Sequence, residues 1–242
     1  PGHGPVVTGT LRGAALAPGG TLELHPLRRP VRVRAVQVHG KSVDSAAPGQ
    51  RVALNLRGVE IGELHRGMAL AAPEALEPSE WLTVWLHALG GTPALRNGAR
   101  LQALSGTGEG AARLRLLDRD VLEPGDCCFA QLRFAEDVTV PAGEHVVLRR
   151  QVTIAGGRVL EPVTRRLKRR DAAVLQRLEQ LRDLPPGELI ASEVAQAGSS
   201  GTTLRRLSRL TALSPSRVAE LLDTLPVTVT RTGAVVPKEE IE

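Results

Sequence analysis

Aromatic residues are almost missing from this sequence: they make up 2% of its 242 residues, tyrosine is absent, and only two tryptophans and two phenylalanines occur. Its cores must be built from Leu, Val and Ala, which a hydrophobic share of 42% makes possible. Cysteine is as sparse. Cys127 and Cys128 are adjacent, and neighbours in an extended strand point to opposite faces, which excludes an ordinary disulfide between them and a four-ligand zinc site. A buried structural role is expected of both. No run approaches the ~18 apolar residues of a membrane span, and no basic-then-apolar leader opens the chain. The expectation is a soluble cytoplasmic protein with no membrane partner.

Lysine is the other shortage, with Lys41, Lys168 and Lys238 standing alone among 31 basic residues. The arginine excess leaves a net charge of +5, which suits a nucleic-acid or phosphate-rich partner because binding a polyanion releases its counterions. A plain compositional bias toward Arg, Ala and Gly accounts for it equally well. Catalytic signatures are also wanting. Gly40-Lys41-Ser42 matches the end of a phosphate loop, but the loop's first glycine would fall on Ala35, so no nucleotide cradle is expected. His3, His25, His39, His65, His87 and His145 lack metal-binding spacing. No Gly-x-Ser-x-Gly elbow occurs, and neither Cys has a His near it in sequence. We expect no catalytic residue, no metal and no independent enzyme.

What is present is punctuated alternation, over a length that suits one large domain or two to three small ones. From Val6 to about Ala72 short apolar runs alternate with turns: Val31 and Val33 oppose Arg32 and Arg34, and Val52, Leu54 and Leu56 oppose Arg51, Ala53 and Asn55. This predicts an antiparallel β-barrel over 1–73. A Pro-rich joint, Pro73 to Pro78, leads to a second set of strands in which Leu82, Val84, Leu86 and Ala112, Leu114, Leu116 alternate, predicting a second barrel over 79–163. The period then changes. Arg165, Arg166, Lys168, Arg169 and Arg170 precede Val174, Leu175, Leu178 and Leu181 at helical spacing. Pro185-Pro186 stops that helix, Glu188–Ala195 and Leu204–Leu210 continue the pattern, and Ser214-Pro215 opens a helix through Leu222. Val227–Val229, Thr232-Gly233 and Val235-Val236 close a hairpin, so 165–242 reads as a winged helix after a basic linker. The fold class is mainly β with a C-terminal α+β part. Because the chain opens on Pro1 rather than Met, we expect a fragment of a longer protein.

Gly4-Pro5-Val6-Val7-Thr8-Gly9-Thr10 resembles the opening of the second domain of translational GTPases of the elongation factor Tu type. The stretches Val36–Lys41, Ala47–Leu56 and His65–Leu70, then Leu114–Asp120 and Thr153–Pro162, are similar in order to the second and third domains of the selenocysteine-specific elongation factors. A winged helix after the third domain fits that family and not elongation factor Tu. The resemblance covers essentially the whole chain. It implies delivery of selenocysteinyl-tRNA to the ribosome by a monomeric factor. GTP and magnesium would belong to a preceding domain, and a selenocysteine-insertion mRNA hairpin to later winged helices. The first winged helix would then be a spacer.

Residue roles follow only where the motifs match. Arg51 in Gly49-Gln50-Arg51 corresponds to the arginine that pairs with the selenolate in this family; a selenol ionises at neutral pH, and a guanidinium separates that charge from the hydroxyl of serine. The plain alternative is a strand-surface arginine. Gln37 corresponds to a position near the terminal ribose, where elongation factor Tu carries a glutamate. Arg66 corresponds to an arginine near acceptor-end phosphates, and His39 to surface packing beside the pocket strand. The run Arg165–Arg170 is either an RNA contact or a solvated linker. Two other readings stay open: another translational GTPase with a helical extension, and a winged-helix regulator with a β-barrel sensor. Against the regulator, the helix through Leu222 offers Arg217 beside Glu220 and Asp223, a poor surface for a DNA groove.

Overall fold

A computed structural model describes residues 4–238. Pro1 to His3 of the opening turn, and the last four residues of the expected winged helix, lie outside the described residues. The chain forms two compact units, 1–76 and 77–242, and the boundary falls inside the Pro-rich joint.

The first unit is a six-stranded antiparallel sheet. Its strands are β1 (Val6–Thr10), β2 (Thr21–His25), β3 (Arg29–Val38), β4 (Lys41–Val43), β5 (Arg51–Arg57) and β6 (Ala69–Ala71). They run in the order β1-β5-β3-β2-β6, with β4 paired to β3. Val52, Leu54 and Leu56 turn into the core with Val31, Val33 and Val36. Arg51 therefore faces outward. Strict alternation from Val33 would also put Gln37 inside, but the β3–β5 register shifts between Val33 and Ala35. An extra residue at such a bulge reverses the faces beyond it, which buries Val36 and leaves Gln37 exposed.

The second unit begins with eight strands: β7 (Ser79–Ala88), β8 (Leu95–Arg96), β9 (Arg100–Ser105), β10 (Gly108–Leu116), β11 (Val121–Leu122), β12 (Cys127–Val138), β13 (His145–Arg149) and β14 (Thr153–Glu161). Six of them close a barrel in the order β10-β12-β7-β14-β13-β9, with β8 and β11 paired beside it. Leu82, Val84, Leu86, Leu114, Leu116, Leu132 and Leu148 fill the interior, with Phe134 as an aromatic member of the cluster. Strands β7 and β14 approach closely at Gly157, where a Cβ would lie 2.0 Å from the Trp85 carbonyl oxygen. Both cysteines are free thiols on β12. Burial, with the Asp118 carboxylate second, pushes the Cys128 thiol up to about 12, so it stays protonated and inert.

Four helices and a small sheet follow: α1 (Ala172–Asp183), α2 (Pro186–Ala197), β15 (Thr202–Thr203), α3 (Leu204–Thr211), α4 (Pro215–Leu222), β16 (Val227–Val229) and β17 (Ala234–Pro237). Asp171 caps α1 by accepting from the N–H groups of Ala173 and Val174, and Ser214 caps α4 through Arg217. Pro186 and Pro215 open α2 and α4, where a missing N–H costs nothing. One apolar cluster joins barrel to helices: Leu117, Phe129 and Leu160 pack with Leu178, Leu181, Leu189 and Leu210. The division expected near residue 164 thus falls inside a shared core. A second cluster, Ile190, Val194, Leu207, Val218, Leu222 and Val235, belongs to the helices and β17.

A charge cluster reinforces the joint. Arg177 of α1 donates to both carboxylate oxygens of Glu161 at 2.9 and 3.2 Å, and to Glu193 of α2 at 3.2 Å. Both glutamates are buried. Deleting one partner of a buried pair strands the other charge and costs about 3 kcal/mol or more. Arg177→Ala is therefore expected to destabilise the second unit by about that amount, read as a lowered urea midpoint, whereas a change at an exposed residue of the same helix such as Gln176→Ala stays within about 0.5 kcal/mol.

Candidate nucleic-acid interface

On the outer face of the first unit, Thr8 pairs with Ala53 and Thr10 with Arg51, while Gln37 lies opposite Ala53 on the other flank of β5. Residues opposite one another share a face, and so do alternate residues along a strand. Arg51 and Gln37 are thus diagonal neighbours, beside a threonine pair. Arg51 is exposed, and its Nη2 donates to Thr8 Oγ1 at 3.2 Å. No ion pair occupies its guanidinium among the described residues. His39 follows Gln37 as an exposed residue with φ of 51° in the β3–β4 turn. Arg66 is exposed in the turn ahead of β6, which two strands, β3 and β2, separate from β5 in sheet order. Arg51 and Gln37 therefore come together, and Arg66 stands apart from them in the sheet order.

Gly40-Lys41-Ser42 sits in the β3–β4 hairpin, with Gly40 at φ 75°. A strand and not a helix follows, so no helix N-terminus faces the turn, and these residues do not fit a nucleotide phosphate or its magnesium. Among the described residues no group of three or more His, Cys, Asp or Glu could hold a metal ion, and no helix is long and apolar enough to cross a membrane.

The basic run 165–170 is not one surface. Arg169 donates to the carbonyls of Leu116 and Arg119, each at 2.7 Å, and pairs with Asp120. Arg170 also pairs with Asp120, and Lys168 lies 3.6 Å from Asp171. Hydrogen bonding by Arg169 holds the Asp120 carboxyl below the usual carboxylate range. The docking it contributes is present above that range and is lost only as pH falls through the lowered value. Arg165 and Arg166 remain exposed and unpaired among the described residues. Beneath them, Gln131 donates to the Arg165 carbonyl at 2.8 Å and accepts from the Leu167 N–H at 3.0 Å. Arg115 donates to the Leu167 carbonyl at 3.0 Å. Burial first, then the charges of Arg166 and Arg169, pull the Arg115 guanidinium below its ordinary value.

Beside this docked segment lies a feature that strand alternation alone does not disclose. Arg113 of β10 is in register with Arg100 of β9 on one side and Arg133 of β12 on the other. Arg133 is in register with Trp81 of β7, and its guanidinium lies 5.7 Å from the Trp81 ring centroid. All three arginines are exposed. The nearest carboxylate to Arg133 is Glu80, 3.9 Å away. Like charges directly opposite on neighbouring strands repel, so a row of three with one distant counterion is suited to a string of phosphates. An indole at its end offers a base a stacking surface.

No family model matches the chain. It is 35% identical over 228 residues to the selenocysteine-specific elongation factor of Desulfomicrobium baculatum, a match covering 93% of this chain and 36% of that protein. The chain is similar to a segment of the selenocysteine-specific elongation factor. The crystal structure of a bacterial selenocysteine-specific elongation factor superposes with a TM-score of 0.74 and 24% identity, covering 98% of this chain and 37% of that one. This likeness supports the mostly β fold with its helical C-terminal part. Elongation factor Tu 2 of Streptomyces avermitilis is 28% identical over 153 residues, 61% of this chain and 39% of that protein. The chain spans little more than a third of the curated relatives it matches. The resemblance read from the motifs holds, and the chain is similar to a translation elongation factor across nearly its whole length.

Arg113→Gln, which removes the central charge of the row, is expected to leave stability unchanged within about 0.5 kcal/mol or slightly raised. It should also flatten the salt dependence of binding to a single-stranded oligoribonucleotide by roughly one ion. Urea titration and fluorescence anisotropy at several salt concentrations read the two effects, and an unchanged salt slope would remove the row from the interface.

Proposed function

We propose that this chain is the aminoacyl-tRNA-binding part of a monomeric cytoplasmic factor that delivers selenocysteinyl-tRNA to the ribosome. The observation that carries this reading is the 35% identity over 228 residues to the selenocysteine-specific elongation factor. Elongation factor Tu 2 is a more distant match over a shorter stretch. The two β units are read as tRNA-binding barrels, and α2 to β17 as a winged helix. The chain itself performs no chemistry. GTP and magnesium belong to a further domain of the whole factor, and the selenocysteine-insertion mRNA hairpin to further winged helices.

In this reading Arg51 meets the selenolate, with Gln37 toward the terminal ribose and Arg66 on an acceptor-end phosphate. The geometry suits Arg51 to the task, because among the described residues its side chain bonds to a neutral hydroxyl that a full negative charge displaces. Arg165, Arg166 and the row Arg100, Arg113, Arg133 supply phosphate contacts on the second unit. The Arg217 guanidinium of α4 is already paired with Glu220 at 2.5 Å, which favours a spacer over a base-reading helix.

Removal of one charge-assisted contact costs ~1.5 to 3 kcal/mol. Arg51→Ala in the complete factor is expected to speed dissociation of selenocysteinyl-tRNA about ten- to a hundredfold and to change seryl-tRNA far less. Equal effects on the two aminoacyl-tRNAs, measured as dissociation rates, would reject the selenolate role.

A further inference from the structure

Of the four aromatic side chains in the sequence, Trp81 is the one that takes no part in a core. Phe134 belongs to the barrel interior, and Phe129 and Trp85 pack in the cluster beneath α1. Trp81 belongs to none of the apolar clusters among the described residues. It stands half-buried on the outer face of β7. Aromatic side chains dominate the energetics of burial, so a ring left outside the cores forgoes stabilisation the fold had at hand.

The backbone holds the indole there. Beyond Arg133 the β12–β7 register shifts, and the exposed residues Ala135, Glu136 and Asp137 bulge out before Val138 meets Ser79. A bulge of this kind re-aims side chains and ends regular pairing. Buried Ser79 fixes the chain at this point, its Oγ accepting from the Trp81 N–H at 3.1 Å and donating to the Trp81 carbonyl at 2.8 Å. On the other flank β14 pairs with β7 as far as Thr83. Among the described residues Trp81 therefore has a ladder neighbour on one side, Arg133.

What borders the ring is cationic. The Arg133 guanidinium lies 5.7 Å from the ring centroid, near the outer limit of a cation–π contact. Its ion pair with Glu80 spans 3.9 Å between half-exposed side chains, and such a pair contributes little. Little therefore holds the guanidinium against a ligand. Arg113 and Arg100 continue the line away from the indole, at about 4.8 Å per strand. Toward α1, Gln131 and Thr83 are the next outward residues of the two strands, and Gln131 donates to the Arg165 carbonyl at 2.8 Å. Exposed Arg165 thus follows one side-chain row from Trp81. The acids of the bulge lie toward Ser79, on the opposite side from Arg165. Positive charge stands on two sides of a ring face that has no charge of its own.

We propose that Trp81 is a stacking site for one unpaired RNA base, held between the indole and Arg133, with the phosphates on either side of that nucleotide taken by Arg113 and Arg165. A duplex keeps the faces of its bases inside its own stack, so the partner is a single-stranded segment. The proposal rests on reading the arginine row as an RNA surface, and adds a base that the row alone does not recognise.

The probes are a twelve-residue oligoadenylate, the same strand annealed to oligouridylate, and linear inorganic polyphosphate, each added to the whole chain. Trp81→Leu removes the π face and keeps an apolar side chain, whereas Trp81→Phe keeps a smaller ring. By fluorescence anisotropy, with polyphosphate as a competitor, Trp81→Leu is expected to weaken oligoadenylate binding roughly five- to a hundredfold, the worth of one stacked base. Duplex and polyphosphate should change far less, and Trp81→Phe should recover most of the loss. A second measurement leaves position 81 unchanged: in a Trp85→Phe variant, oligoadenylate is expected to quench Trp81 emission where polyphosphate does not. Absence of that quenching, or a Trp81→Leu effect equal on all three probes, overturns the proposal. Oligoadenylate binding whose salt slope Arg113→Gln flattens, but which Trp81→Leu does not weaken, keeps the row and rejects the base site. No binding of oligoadenylate or polyphosphate to the unaltered chain overturns both.

Discussion

Gln131 carries a requirement that organises the second unit. It lies on the outward side of a barrel strand, yet it is completely buried, and a buried amide is tolerable only if its carbonyl and its NH₂ are both bonded. The backbone of residues 165 to 167 meets both needs, with Thr83 Oγ1 at 3.4 Å as a further acceptor. That pairing fixes where the chain leaves the barrel. Arg169 and Arg170 then reach Asp120, Asp171 caps α1, and α1 comes down over Trp85 and Phe129. The two rings lie 4.5 Å apart, and the Arg182 guanidinium sits 4.4 Å from the Trp85 centroid. A barrel face that an alternating sequence would leave wet becomes the seat of a helical layer. The strip bearing Arg100, Arg113 and Arg133 stays open, as do the outward residues of β13.

The parts that could be read from residue order are those set by local periodicity. Val52, Leu54 and Leu56 announced their inward face and therefore Arg51's outward one. Ser214-Pro215 marked the start of α4, and the Val227–Val236 stretch its closing hairpin. Gln37 was placed by resemblance; its outward position depends on a bulge whose only trace is that Val33 and Val36 are three apart. Gln131 gave no signal, since a glutamine in an alternating strand looks solvated until its cover is known. The pairing of Arg169 and Arg170 with Asp120 spans about fifty positions, and such contacts leave no mark on either segment. The arginine row was hidden for the same reason. Arg113 could be seen facing outward, but which strands flank it is a property of barrel closure.

Arginine does different work in each place, and the differences are physical. At Arg51 a lone guanidinium with a neutral partner stays available to an anion. At Arg177 the planar fork bridges two buried carboxylates and acts as a structural pin, a use lysine serves poorly. Along Arg100, Arg113 and Arg133, like charges on neighbouring strands face one another with Glu80 beside Arg133 as a counterion. The sequence's preference for arginine over lysine thus has structural uses even if its origin is compositional.

The central claim is that barrel and helices of the second unit are one cooperative body, welded through Gln131, the Leu117–Leu210 cluster and Arg177. Both tryptophans of the chain, Trp81 and Trp85, lie on β7, but Trp85 sits beneath α1, so Trp81 fluorescence in a Trp85→Phe variant reports the barrel, while circular dichroism at the helical minimum reports α1 to α4. Urea unfolding of the whole chain followed by both signals is predicted to give coincident transitions. Loss of the helical signal at clearly lower urea than the tryptophan signal would show an arm that melts by itself, and would contradict the account.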